Sequence, residues 1–229
     1  FFHPHPATPD PLWSRGLGDV YKRQVHTMIG QNLDNTFDII HMKRYEGMSY
    51  RNIADDIMHW HNKYNGDAFG SDYGVGMAYN MLLREKMEPA HHIIFQYSGP
   101  NAIPLKENQN VFNQFSLNKT DSITTLYVAI KNRRLRCFDW SMAKPYLTDL
   151  LNLYRVPTDS GGANLFVYRR HAAKADDMLH ALNFAYVVGR IRLQEPIIED
   201  RALMTRLAGA MKPARIEASE FSVPEAFSM

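Results

Sequence analysis

The sequence predicts an α/β fold, a mixed sheet covered by helices on both faces. Three observations carry this. Strand-like runs alternate with runs of helical apolar spacing from Val25 onward. Glycine-containing turns such as Asn65-Gly66 and Gly161-Gly162 punctuate them. The stretch 174–192 is apolar nearly all round, as a helix buried between layers must be.

Taken in order, VHTMIGQ (25–31) and FDIIHMKRY (37–45) are β-rich runs separated by a polar turn, which reads as a hairpin. Gly47 breaks the second run and Ser49 is an N-cap candidate. Ile53, Ile57, Trp60 and Tyr64 follow at helical spacing, so 50–64 is an amphipathic helix. A short strand is expected within 67–72, a helix over 77–87 and a strand over 91–97. The Asn-, Gln- and Pro-rich stretch 98–120 leads to a helix over 122–131. A strand over 134–140, a helix over 142–154 and a strand over 164–169 precede the buried helix.

Composition narrows the class. With 45% hydrophobic and 12% aromatic residues in 229, the chain is neither a disordered, a collagen-like nor a disulfide-built scaffold. Its single cysteine, Cys137, excludes a cysteine-built zinc site and fits a reducing compartment. No apolar run approaches the roughly 20 residues that span a bilayer, so a soluble protein with no membrane partner is expected. Residues 1–24 stand apart, proline-rich and without apolar periodicity. LWSRGLGDVYKRQ resembles translated sequencing-adapter read-through, so 1–24 is read as a non-native or disordered segment. The expected domain covers 25–205, followed by a tail over 206–229 that lacks periodicity.

Two acidic motifs carry the functional information. In Gly70-Ser71-Asp72-Tyr73-Gly74-Val75-Gly76, a carboxylate at a strand's carboxyl end is followed by a glycine turn into a helix. Ligands of α/β sheets bind at that place, although an aspartate that only shapes a tight turn fits the same pattern. In KADDMLHALNFA (174–185), Asp176 and Asp177 open an otherwise apolar helix, and Asp177, His180, Ala181 and Phe184 share a face. Helix capping accounts for one aspartate. It does not account for a second with a histidine one turn on, and a metal or substrate partner would offset their burial.

SDYGVG paired with KADDMLHALNFAY, after the VHTMIGQ…FDIIHMKRYEG hairpin, resembles the C-terminal nuclease domain of tailed-phage terminase large subunits. The resemblance spans about residues 25–192. It implies an RNase H-like fold and an endodeoxyribonuclease that cuts double-stranded concatemeric DNA during genome packaging. It implies two divalent cations, Mg or Mn, at an acidic cluster that acts by a two-metal mechanism. Asp72 matches the second acidic position and Asp177 the third. Asp176 and His180 occupy neighbouring positions where related enzymes place an extra ligand or a proton-transfer group. The family's first acidic motif belongs on a strand upstream of Val25, where Asp19 stands in a context that does not match. The first strand is therefore expected to be missing or replaced, leaving an exposed sheet edge and an impaired site. The resemblance also implies the terminase ATPase domain, the portal and the small terminase subunit as partners, and the host cell cytoplasm as location. No G-x-x-x-x-G-K-[ST] motif occurs.

The net charge of +2 hides a local excess. Residues 131–174 hold nine cations against three aspartates, a local +6. From these, Arg134, Arg136, Arg169, Arg170 and Lys174 are the candidate phosphate contacts, the last three leading into the acidic helix. Two other readings fit the same residues: a nuclease-dead module that binds DNA or docks the motor, and a resolvase-type RNase H-like nuclease.

Overall fold

The computed structural model describes residues 24–74, 77–99, 105–107, 113–137, 139–158, 166–171 and 174–197. Asp19, Gly161-Gly162 and the tail over 206–229 lie outside them. The architecture is mixed α/β, as predicted, with helices on both faces of the strands.

The expected hairpin forms. β1 (Gln24–Gln31) and β2 (Phe37–Tyr45) pair antiparallel, with a bulge where Met28 pairs His41 and Ile29 pairs Ile39. β7 (Leu135–Arg136) adds in parallel to β2. A second mixed sheet has the order β3-β4-β6-β5, built from Phe69–Asp72, His92–Ser98, Gln114–Asn118 and Leu105–Glu107. β8 (Leu153–Pro157) and β9 (Phe166–Arg170) form a separate hairpin. The strands thus divide into two mixed sheets and a hairpin; among the described residues, β1 and β3 each end their sheet.

Helix α1 (Tyr50–Lys63) starts where expected, the Ser49 hydroxyl accepting from the Asn52 amide. It packs Ile53 and Ile57 against Tyr45 and against Tyr79 and Leu83 of α2 (Met77–Arg84). On the other face, α3 (Lys119–Lys131) and α6 (Asp177–Arg192) bury Leu126, Met178, Leu182 and Tyr186 against Phe37 and Ile39. Phe184, Val187 and Val188 of α6 also pack on Ile93, Phe95 and Leu117 of the second sheet. One helix therefore covers both sheets.

Two glycines permit that contact. A Cβ on Gly70 would lie 2.7 Å from Val188 and 3.0 Å from Phe95, and one on Gly189 would lie 2.8 Å from Phe37. Bare backbone at both points lets α6 lie directly on the strands.

Some local expectations are corrected. The polar stretch 98–120 contains β5 and β6. The single helix expected over 142–154 is two short helices, α4 (Trp140–Ala143) and α5 (Leu147–Leu150), joined by a 3-10 turn through Pro145 and followed by β8. Proline has no amide hydrogen to continue the ladder. Among the described residues of the expected strand 134–140, Leu135 and Arg136 pair.

Candidate acidic site

The glycine turn after β3 and the start of α6 bring both acidic motifs to one place. Asp72, Asp177, His180 and Arg170 line one cavity of about 990 Å³. Asp72 is exposed to it. Its Oδ2 accepts from the Gly74 amide at 3.1 Å, and its carbonyl accepts from Asn80 Nδ2 at 2.8 Å. Lost hydration raises its carboxyl above the ordinary range, against the opposing pull of the Gly74 amide and of His180.

Asp176 stands at the N-cap of α6 without using its side chain as a cap. Its Oδ2 instead accepts from His180 Nε2 at 3.0 Å, and its Oδ1 lies 3.5 Å from Arg170 Nη1. Burial works to raise this carboxyl, but the His180 hydrogen bond and the charges of His180, Lys119 and Arg170 hold it below the ordinary range. Ionised, it can only accept, so Nε2 of His180 carries the proton. His180 Nδ1 lies in hydrogen-bond contact with the Tyr97 hydroxyl at 2.9 Å, and that hydroxyl accepts from Asn183 Nδ2 at 3.1 Å. The second amide hydrogen of Asn183 goes to Ser122 Oγ at 3.0 Å. Both nitrogens of His180 are thereby engaged within the protein. The ring of His180 thus links Asp176 to Tyr97.

Tyr97, Asn183 and Lys119 were missed from sequence. Asn183 had a signal, a polar residue one turn beyond His180 on a buried helix. Tyr97 and Lys119 had none, being single residues near element ends. Lys119 Nζ sits 5.5 Å above the Tyr97 ring, and burial lowers its pKa.

The basic candidates separate. Arg134 makes a two-pronged pair with Glu195 at 3.0 and 3.1 Å, and Arg136 pairs with Asp38 at 2.8 Å. Arg169, Arg170 and Lys174 are exposed, and of the five Arg170 lines the cavity.

Oxygen donors of this kind suit Mg or Mn. Among the described residues, however, no three His, Cys, Asp or Glu side chains converge to hold a metal ion. Asp72 and Asp177 do not by themselves fit a two-ion centre. No helix of the described residues is long and apolar enough to cross a membrane.

No protein-family model and no curated protein matches the chain. Among solved structures, the chain is similar to the crystal structure of the large terminase nuclease from thermophilic phage G20c, with a TM-score of 0.44 and 18% identity over 72% of this chain and 81% of that one.

Proposed function

We propose that this chain is a DNA-processing domain of the nuclease type from a viral genome-packaging terminase, and that double-stranded DNA lies across the cavity that holds Asp72 and Asp177. One observation carries the reading: two acidic motifs far apart in sequence line one cavity, together with the cation Arg170. Carboxylates beside a phosphodiester repel it unless cations intervene, so such a pairing has a use where divalent ions and DNA meet. Arg169 and Lys174 extend the positive charge on either side of Arg170 in sequence, where backbone phosphates could be held.

Asp72 and Asp177 would hold Mg or Mn, which when bound would polarise a phosphoryl oxygen. The donor set falls short of two ions, and Asp176 is tied to His180 and Arg170. No hydrolytic step is therefore assigned to these residues as they stand. The Asp176–His180–Tyr97 chain instead fixes the start of α6, and with it the position of Asp177.

Incubating supercoiled plasmid with Mn and the chain, beside its Asp72→Ala and Asp177→Ala variants, tests the nuclease side. Nicking lost in both variants supports the assignment, and nicking unchanged in both removes it. Absence of nicking throughout leaves the domain the DNA-holding role alone, which fluorescence anisotropy on labelled duplex then measures.

A further inference from the structure

Lys119 is placed against three physical preferences. β6 ends at the buried Asn118, whose side chain caps α3 by accepting from the Asp121 amide at 3.0 Å. Lys119 is thereby the first residue of α3, where the positive end of the helix disfavours a cation. Its side chain is half-buried, and that burial lowers its pKa. The charge of Asp176 opposes the fall, and the like charge of Arg170 adds to it. Among the described residues no hydrogen bond or ion pair takes up the ammonium, which rests 5.5 Å above the Tyr97 ring. A cation over a ring offsets only part of the lost hydration.

Arg170 reaches the same neighbourhood from the end of β9. Its Nη1 lies 3.5 Å from Asp176 Oδ1, and its side chain is 55% exposed, open to a ligand from solvent. The other oxygen of Asp176 is taken by His180 at 3.0 Å. Lys119 and Arg170 thus bring two positive charges to one carboxylate, an excess of one. Tyr97 ties this excess to the acidic pair. Its hydroxyl feels the charges of both Asp72 and Asp176, and it lines the cavity together with Arg170 and Asp177. The excess therefore sits beside the cavity.

We propose that Lys119 and Arg170 form the seat of one phosphodiester group, a backbone phosphate of the DNA strand that enters the acidic cavity. A phosphodiester carries a single negative charge, which matches the excess of one. A phosphomonoester, at about −1.5 to −2, would exceed it. Held between the two cations, the group would screen their mutual repulsion and give the ammonium an oxygen acceptor. It would also face the positive end of α3. One ligand therefore answers all three costs of placing a lysine here. Lys119 is then a substrate-binding residue from an element that carries neither acidic motif. The source of the phosphate rests on the DNA reading above, whereas the seat rests on Lys119, Arg170 and Asp176 alone.

The test compares the full chain with its Lys119→Gln and Lys119→Arg variants, following anisotropy of labelled duplex across a salt series. Lys119→Gln should weaken binding about three- to tenfold and lower the slope of log affinity against log salt by about 0.9. Lys119→Arg should restore the slope. The thermal midpoint separates this from a structural role. Lys119→Gln should leave it level or raised, since the change removes a cation from an unfavourable place. Unchanged affinity and slope overturn the proposal. So does a weakening that comes with a lowered midpoint and that Lys119→Arg does not rescue. No duplex binding by the unsubstituted chain sinks the DNA reading instead, and dimethyl phosphate, a phosphodiester of one charge, then decides the seat. Added at constant ionic strength, it should raise the midpoint of the unsubstituted chain above that of Lys119→Gln. Equal responses overturn the seat as well.

Discussion

The Tyr97 hydroxyl and His180 Nδ1 are hydrogen-bonded across 2.9 Å, joining the end of a central strand to the first turn of α6. Through His180 and Asp176 the bond secures the N-terminus of the helix that carries Asp177.

Tyr97→Phe should therefore act on stability and on the surroundings of His180 Nδ1. Loss of the hydroxyl leaves His180 Nδ1 and one Asn183 amide hydrogen without their partner, at a cost of about 1–3 kcal/mol in denaturant unfolding. Nitrogen NMR should show the His180 Nδ1 signal shifting while Nε2 keeps its proton toward Asp176. An unchanged unfolding midpoint would contradict the account.

His26 predicts an acid-sensitive fold. Burial, aided by the nearby His41, pushes its pKa from 6.5 down to about 3. Between those values the unfolded chain binds a proton that the folded chain does not. Stability thus rises with pH across this window and is lost as pH falls from 6.5 toward 3. His26 alone contributes a slope of up to about 1.4 kcal/mol per pH unit. His26→Phe should remove that share between about pH 6 and 4, read from unfolding midpoints. An unaltered slope would assign the acid response to His92, which burial lowers to about 4, and to the other lowered imidazoles.

Gly70→Ala tests the close packing of α6. The added methyl meets Val188 at 2.7 Å and the Phe184 carbonyl at 3.3 Å, so overpacking should cost about 1–3 kcal/mol. Gly99→Ala, which meets nothing within 4 Å, should change stability by less than about 0.5 kcal/mol. Equal effects at both positions would contradict the packing account.

Much of the fold was legible because the informative patterns are local. The hairpin, α1, β3 and α6 each announce themselves by periodicity, a cap or a glycine turn. β5 and β6 did not, since Gln114 and Asn118 are buried polar residues inside a strand whose place is set by pairing with β4. The expected helix ran into the first two residues of β8, Leu153 and Tyr154, whose strand state comes from pairing with β9. The site follows the same division. Asp72 and Asp177 sit in local motifs, whereas Tyr97 and Lys119 reach His180 and Asp176 only through tertiary folding. The split into two sheets could not be seen from either half alone, because it depends on how α6 spans β1 and β3.

The most direct test of the central claim is duplex DNA affinity without divalent ions, measured by anisotropy for the chain and its Asp72→Asn, Asp177→Asn and Arg170→Ala variants. If phosphates pass over this cavity, removing either carboxylate relieves a repulsion of about 1 kcal/mol, tightening binding roughly fivefold. Arg170→Ala should weaken binding and flatten its salt dependence. Affinity indifferent to all three substitutions, or no measurable binding at low salt, would contradict the account.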